Sequence, residues 1–151
     1  HIWDAATNIE EMVHAFDDLV RSGRVLYLGI TDMPAWQFAK AFYTAVLATL
    51  EVKVIMEHPG AVAFGRAFPE FWVGVPHDGG RAQVGNGSHF GFLAVSKAQV
   101  DAFYAKALEM GGQSDGAPGP RELYGPQYYG AFVRDLDGHK IEAMFWDEAA
   151  G

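Results

Sequence analysis

The chain has 151 residues, 50% hydrophobic and 14% aromatic, which suits one compact domain with a filled core. Its 19 acidic and 11 basic residues give a formal net charge of −8 with no basic block, which argues against nucleic-acid or membrane partners. The absence of cysteine excludes disulfides and thiolate chemistry and suits a reducing cytoplasm; no signal peptide and no long apolar run is evident.

The first predicted element is a helix over residues 7–22. Thr7 and Glu10 form a capping box, and Ile9, Met12, Val13, Phe16, Leu19 and Val20 recur on one face. Gly23 supplies its stop. A strand, "RVLYLGI", follows, and Asp32 then caps a helix running through Leu50, with Pro34 in its first turn. Three short strands come next: "VKVIME", "AVAFG" and "EFWVGV", separated by Pro59-Gly60 and the "RAFP" turn. "VPHDGGRAQVGNG" reads as a flexible loop. The strand "HFGFLAV" leads to a helix opened by a second capping box, Ser96-Lys97-Ala98-Gln99, and closed by Gly111-Gly112. "QSDGAPGPRELYGPQ" reads as loop. A hairpin of "YGAFVR" and "HKIEAMF" around Leu136-Asp137-Gly138 ends the pattern.

A weak internal repeat runs through this order. Phe42-Tyr43 and Phe103-Tyr104 hold like places on two helices, and Val25 precedes the Asp32 cap as His89 precedes the Ser96 cap. The expected fold is α+β, two βαβββ units with an added N-terminal helix, in a single domain spanning residues 1–151. The curved sheets of the two units face each other or a partner chain.

From Phe42 to Trp146 the chain resembles the vicinal oxygen chelate superfamily, which includes glyoxalase I, bleomycin-resistance proteins and extradiol dioxygenases. The carrying phrases are "FYTAVLATL", "PEFWVG", "GNGSHFGFLAVSKAQVDAFYAKALEMGG" and "DGAPGPRELYGPQYYGAFVRDLDGHKIEAM". Residues 1–41 instead resemble an internal helix-and-strand fragment of an aldo-keto reductase. Thr31-Asp32 stands where the reductases carry a nicotinamide-contacting Ser-Asn pair, and their catalytic residues lie outside the fragment. One strand cannot enclose a nucleotide, which needs several loops of a closed barrel. The splice puts "VLYLGITD" in the place of the superfamily's first strand, preserving its apolar pattern. With a first residue of His1 rather than Met, the chain reads as a recombined chimera, processed or truncated at its start.

The resemblance implies a metal site on the first and last strands of each unit. Carried over, its ligands are His89 and Glu142 in the second unit and Glu70 in the first, while the remaining first-strand position falls on Val25. Such a site would take Zn²⁺, Ni²⁺, Mn²⁺ or Fe²⁺, incompletely because Val25 offers no donor. In glyoxalase-like chemistry Glu142 would also be the catalytic base that moves a proton between adjacent carbons. Simpler readings stand beside these: His89 could bond the "GNGS" backbone, and Glu70 after Pro69 could be solvated. His14, His58 and His77 read as surface residues and His139 as a turn residue. Among Trp72, Phe90, Phe92, Tyr128, Tyr129, Phe132 and Trp146, some should line a cleft for a small organic ligand, with Arg121 and Arg134 as available anion anchors. The implied assembly is a homodimer, since half-open sheets leave edges to close. The function implied is glyoxalase-like lyase or isomerase chemistry on a small oxygenated substrate, weakened or lost; the alternative is a metal-free, bleomycin-resistance-like binding dimer.

Overall fold

A computed structural model describes residues 35–150. The expected helix over residues 7–22, the strand "RVLYLGI", Val25 and the Asp32 cap lie outside that range. The first described unit contains α1 (Ala35–Ala48), β1 (Lys53–His58), β2 (Ala61–Gly65) and β3 (Phe71–Gly74), the strands forming an antiparallel sheet in the order β1-β2-β3. The second contains β4 (His89–Leu93), α2 (Lys97–Glu109), β5 (Gln113–Pro120), β6 (Tyr128–Arg134) and β7 (Lys140–Trp146). Its strands form a mixed sheet in the order β4-β7-β6-β5, with β4 parallel to β7 and the other pairs antiparallel.

Local sequence accounts for most of these boundaries. The Ser96 side chain accepts from the Gln99 amide at 3.2 Å, and the Gln99 side chain in turn accepts from the Val95 amide at 2.9 Å. This is a capping box with its return bond shifted one residue upstream. The β6–β7 turn is closed by Asp135, whose Oδ1 accepts from the amides of Asp137 and His139 at 3.0 and 2.7 Å, while Gly138 adopts φ +92°.

Two expectations need correction. Helix α1 ends at Ala48, not Leu50; the chain turns through Thr49-Leu50-Glu51, with Glu51 at φ +61°. No glycine marks that stop, so the sequence signal was missing. More consequentially, the first part of "QSDGAPGPRELYGPQ" is strand β5 rather than loop. It lies at a sheet edge, where prolines and glycines are tolerated, and its pairing with β6 slips between Ser114 and Gly116 and again between Gly116 and Gly119.

The core lies between the helices and one face of each sheet. Phe42, Val46 and Leu47 of α1 and Val100 and Phe103 of α2 are fully buried with Val62 and Phe64 of β2 and Val133 and Ile141 of the second sheet. The repeat is visible here, since Phe42 and Phe103 are equivalent buried anchors. Their neighbours differ: Tyr43 donates to buried Asp135 at 2.6 Å, linking α1 to the second unit, while Tyr104 donates to Ser114 at 2.8 Å near the surface.

Candidate functional site

The alternation of β7 sends Ile141, Ala143 and Phe145 into the core, so Glu142 emerges on the helix-free face of the second sheet. There it is a buried carboxylate, 7% exposed, with both oxygens engaged. The Tyr128 hydroxyl donates to Oε1 at 2.6 Å, and His89 Nε2 lies 3.1 Å from Oε2, donating in the tautomer protonated at Nε2. Strand pairing sets this cluster. Gly91 of β4 is opposite Glu142 on β7, where a Cβ would stand 3.9 Å from Oε2; Phe132 of β6 is opposite Glu142 on the other side. Tyr128 reaches the carboxylate by lying along β6 over Gly130, where a Cβ would stand 2.1 Å from the phenol oxygen.

Tyr128 is the residue that sequence reasoning placed only as a cleft aromatic. The available signal was its even spacing from Gly130 and Phe132, which puts all three on one strand face. Burial, then the hydrogen bond to Glu142, holds the Tyr128 phenol above its ordinary pKa, with the Arg121 charge pulling the other way.

Glu70 does not join this cluster. It precedes β3 at the surface, its Oε1 accepts from the Arg66 amide at 3.0 Å, and its Oε2 lies 3.5 Å from Arg66 Nη1. Glu70 and His89 nevertheless line one cavity of about 390 Å³ between the sheets, together with Arg66, Phe71, Phe90 and Phe92. Arg66 spans the units there, donating to Leu93 O at 2.7 Å and Leu50 O at 3.3 Å. Val25 lies outside the described residues. Among the described residues no three His, Cys, Asp or Glu side chains are grouped to hold a metal ion. His89 and Glu142 alone offer two donors, one short of the three protein ligands of catalytic zinc sites.

Around Glu142 the helix-free face is aromatic and cationic. Phe132 has Lys140 Nζ 4.4 Å and the Arg121 guanidinium 5.7 Å from its ring centre. Asp115, on the strand expected to be loop, pairs with Arg134 at 3.0 Å and Lys140 at 3.4 Å. Phe92 both lines the cavity between the sheets and packs against the core, whereas Tyr129, also expected at the cleft, packs against the core. His58 is exposed and stacks on Trp72, and His77 is exposed in the loop, as expected.

Residues 28–143 match the sequence pattern of the Glyoxalase/Bleomycin resistance protein/Dioxygenase superfamily. The chain belongs to this superfamily. A glyoxalase/bleomycin resistance protein from Albidiferax ferrireducens T118 is 34% identical; the alignment covers 78% of this chain and 93% of that one, with a TM-score of 0.66. Lactoylglutathione lyase from Agrobacterium tumefaciens shares the glyoxalase fold at 22% identity, with 74% of this chain and 85% of that one covered and a TM-score of 0.51. The glyoxalase-superfamily match begins at residue 28, so it overlaps the segment 1–41 that resembles a reductase. A 41-residue stretch is 56% identical to norsolorinic acid reductase B of Dothistroma septosporum, covering 27% of this chain and 10% of the reductase. The chain therefore spans about a tenth of the length of the curated reductases it matches.

Proposed function

We propose that this is a glyoxalase-like protein of chimeric origin whose surviving small-molecule site centres on Glu142. The observation that carries the reading is the buried Glu142 carboxylate held between Tyr128 and His89. The two partners differ in what they permit. Tyr128 is buried and anchors Oε1, whereas the His89 side chain is 48% exposed and can yield Oε2 to an entering substrate. Oε2 is then the base, taking a proton from a hydroxyl-bearing carbon next to a carbonyl to give an enediolate. It returns that proton to the former carbonyl carbon, while the hydroxyl proton passes from the first oxygen to the second.

Metal-dependent lyase or isomerase chemistry is weak or lost in this reading, because the donor set is short. Val25 falls at one inherited ligand position and Glu70 is bonded to Arg66. The same shortage favours the second reading, a metal-free binding protein that uses the aromatic and cationic face. The protein assembles as a homodimer in a reducing cytoplasm, its open sheet edges paired with a second copy.

Metal analysis after incubation with Zn²⁺, Ni²⁺, Mn²⁺ or Fe²⁺ and dialysis tests the donor argument. Less than one ion per chain is expected, rising in Val25→His; one tightly held ion in the unmodified chain would overturn it. Proton transfer is tested by deuterium uptake into dihydroxyacetone in D₂O. Protein-dependent exchange should fall by about 100-fold in Glu142→Gln, and exchange indifferent to that substitution would exclude Glu142 as the base.

A further inference from the structure

We infer that Arg121 is the anion anchor of this site, and that the site takes small hydroxy or keto acids whose carboxylate pairs with Arg121. The sequence offers Arg121 and Arg134 equally; their surroundings separate them. Arg134 already has a carboxylate, Asp115 at 3.0 Å, which Lys140 shares. Arg121 has no ion-pair partner among the described residues. Its Nη2 donates to Ala117 O at 2.7 Å and its Nη1 to Pro120 O at 3.0 Å, both neutral carbonyls. These bonds fix the guanidinium plane and leave its charge unanswered, with further N–H groups to offer.

Its position is that of a substrate anchor. The guanidinium lies over the Phe132 ring, and Phe132 is the direct cross-strand partner of Glu142. Gly116 and Gly119 make room for it, since a Cβ at either would stand 3.3 or 3.2 Å from its terminal nitrogens. Around the ring, Arg121, Arg134 and Lys140 outnumber Asp115 and Glu142, a local positive excess in a chain of net charge −8. An uncharged substrate can reach Glu142 but leaves the Arg121 charge unanswered. A 2-hydroxy or 2-keto acid places an anion for Arg121 beside an oxygenated carbon for the Glu142 region.

The inference rests on the Glu142 reading only for where the reacting carbon sits, and binding can be read separately. EDTA-treated full-length protein is titrated with lactate, glyoxylate and mandelate, and with mandelamide as the uncharged match, following amide chemical shifts. The acids should bind, with mandelamide about tenfold weaker or more. Arg121→Gln should weaken mandelate about tenfold or more, while Arg121→Lys, which keeps the charge but loses the planar fork, should weaken it measurably but by less. Glu142→Gln should still bind mandelate in an Arg121-dependent way, so loss of proton transfer leaves this inference standing. Failure of all three acids to bind, equal binding of mandelamide, or loss of mandelate in Arg134→Gln but not in Arg121→Gln would each overturn it. Should Arg121→Gln fail to fold, Arg121→Lys and the comparison of mandelate with mandelamide still decide.

Discussion

Two tyrosines each satisfy a buried carboxylate, Tyr128 on Glu142 and Tyr43 on Asp135. Removing either hydroxyl leaves a buried acceptor short of a partner, which costs more than the bond itself returns. Tyr43→Phe and Tyr128→Phe should each lower stability by about 1–3 kcal/mol in urea denaturation. Tyr43→Phe should leave deuterium exchange intact; Tyr128→Phe should slow it, because Oε1 loses its anchor. Both phenols are held above their ordinary pKa, by burial first and then by their carboxylate partners. The folded state therefore keeps these protons past the pH at which an unfolded chain releases them. Their contribution to stability is complete below about pH 10 and is lost as pH rises further. In an alkaline titration, part of the tyrosinate absorbance should appear only with the loss of helical circular dichroism. Early release of all six tyrosines would contradict this.

At the scale of elements, each helix makes a prediction, α1 through its ending and α2 through its buried face. Helix α1 has no glycine to accept the left-handed turn that follows it, and Glu51 takes that conformation itself. An L side chain there is strained by about 1–2 kcal/mol, partly offset in a glycine by its larger unfolded-state entropy. Glu51→Gly should accordingly raise the denaturation midpoint, by about 0.5–1 kcal/mol of stability. Helix α2 contributes the fully buried Phe103, which packs beside Phe92 of β4. Phe103→Ala removes that ring from a closed core and should cost about 3–5 kcal/mol, read by urea denaturation.

Across the whole molecule, each sheet has covered strands and, among the described residues, edge strands without a neighbour. β1 is exposed along its length at the edge of the first sheet, and Trp72, Leu93 and Trp146 expose large apolar surfaces. Burying them against a second copy would close these edges, so sedimentation equilibrium should return twice the mass of one chain, and a strictly monomeric result would remove the dimer. Arg66, bonded to both units, is the polar counterpart of the aromatic contacts that Phe71 makes with Phe90 and Phe92.

Local chemistry made much of this readable in advance. The Ser96 box, the Asp137-Gly138 turn and the alternation about Glu142 involve neighbours in sequence, so the residues themselves prescribe the geometry. Alternation alone put Glu142 opposite Ile141 and Ala143. What it could not provide was any relation between distant segments. Strand β5 exists because β6 offers its backbone groups to a Gly- and Pro-rich stretch with little propensity of its own. Tyr128 becomes the partner of Glu142 because Gly130 leaves space beneath it, and Glu70 is turned to Arg66 by its place ahead of β3. The choice between Arg121 and Arg134 follows from where Asp115 lies. Each is decided by which side chains the sheets bring within hydrogen-bonding distance, a property of pairing register that no single segment encodes.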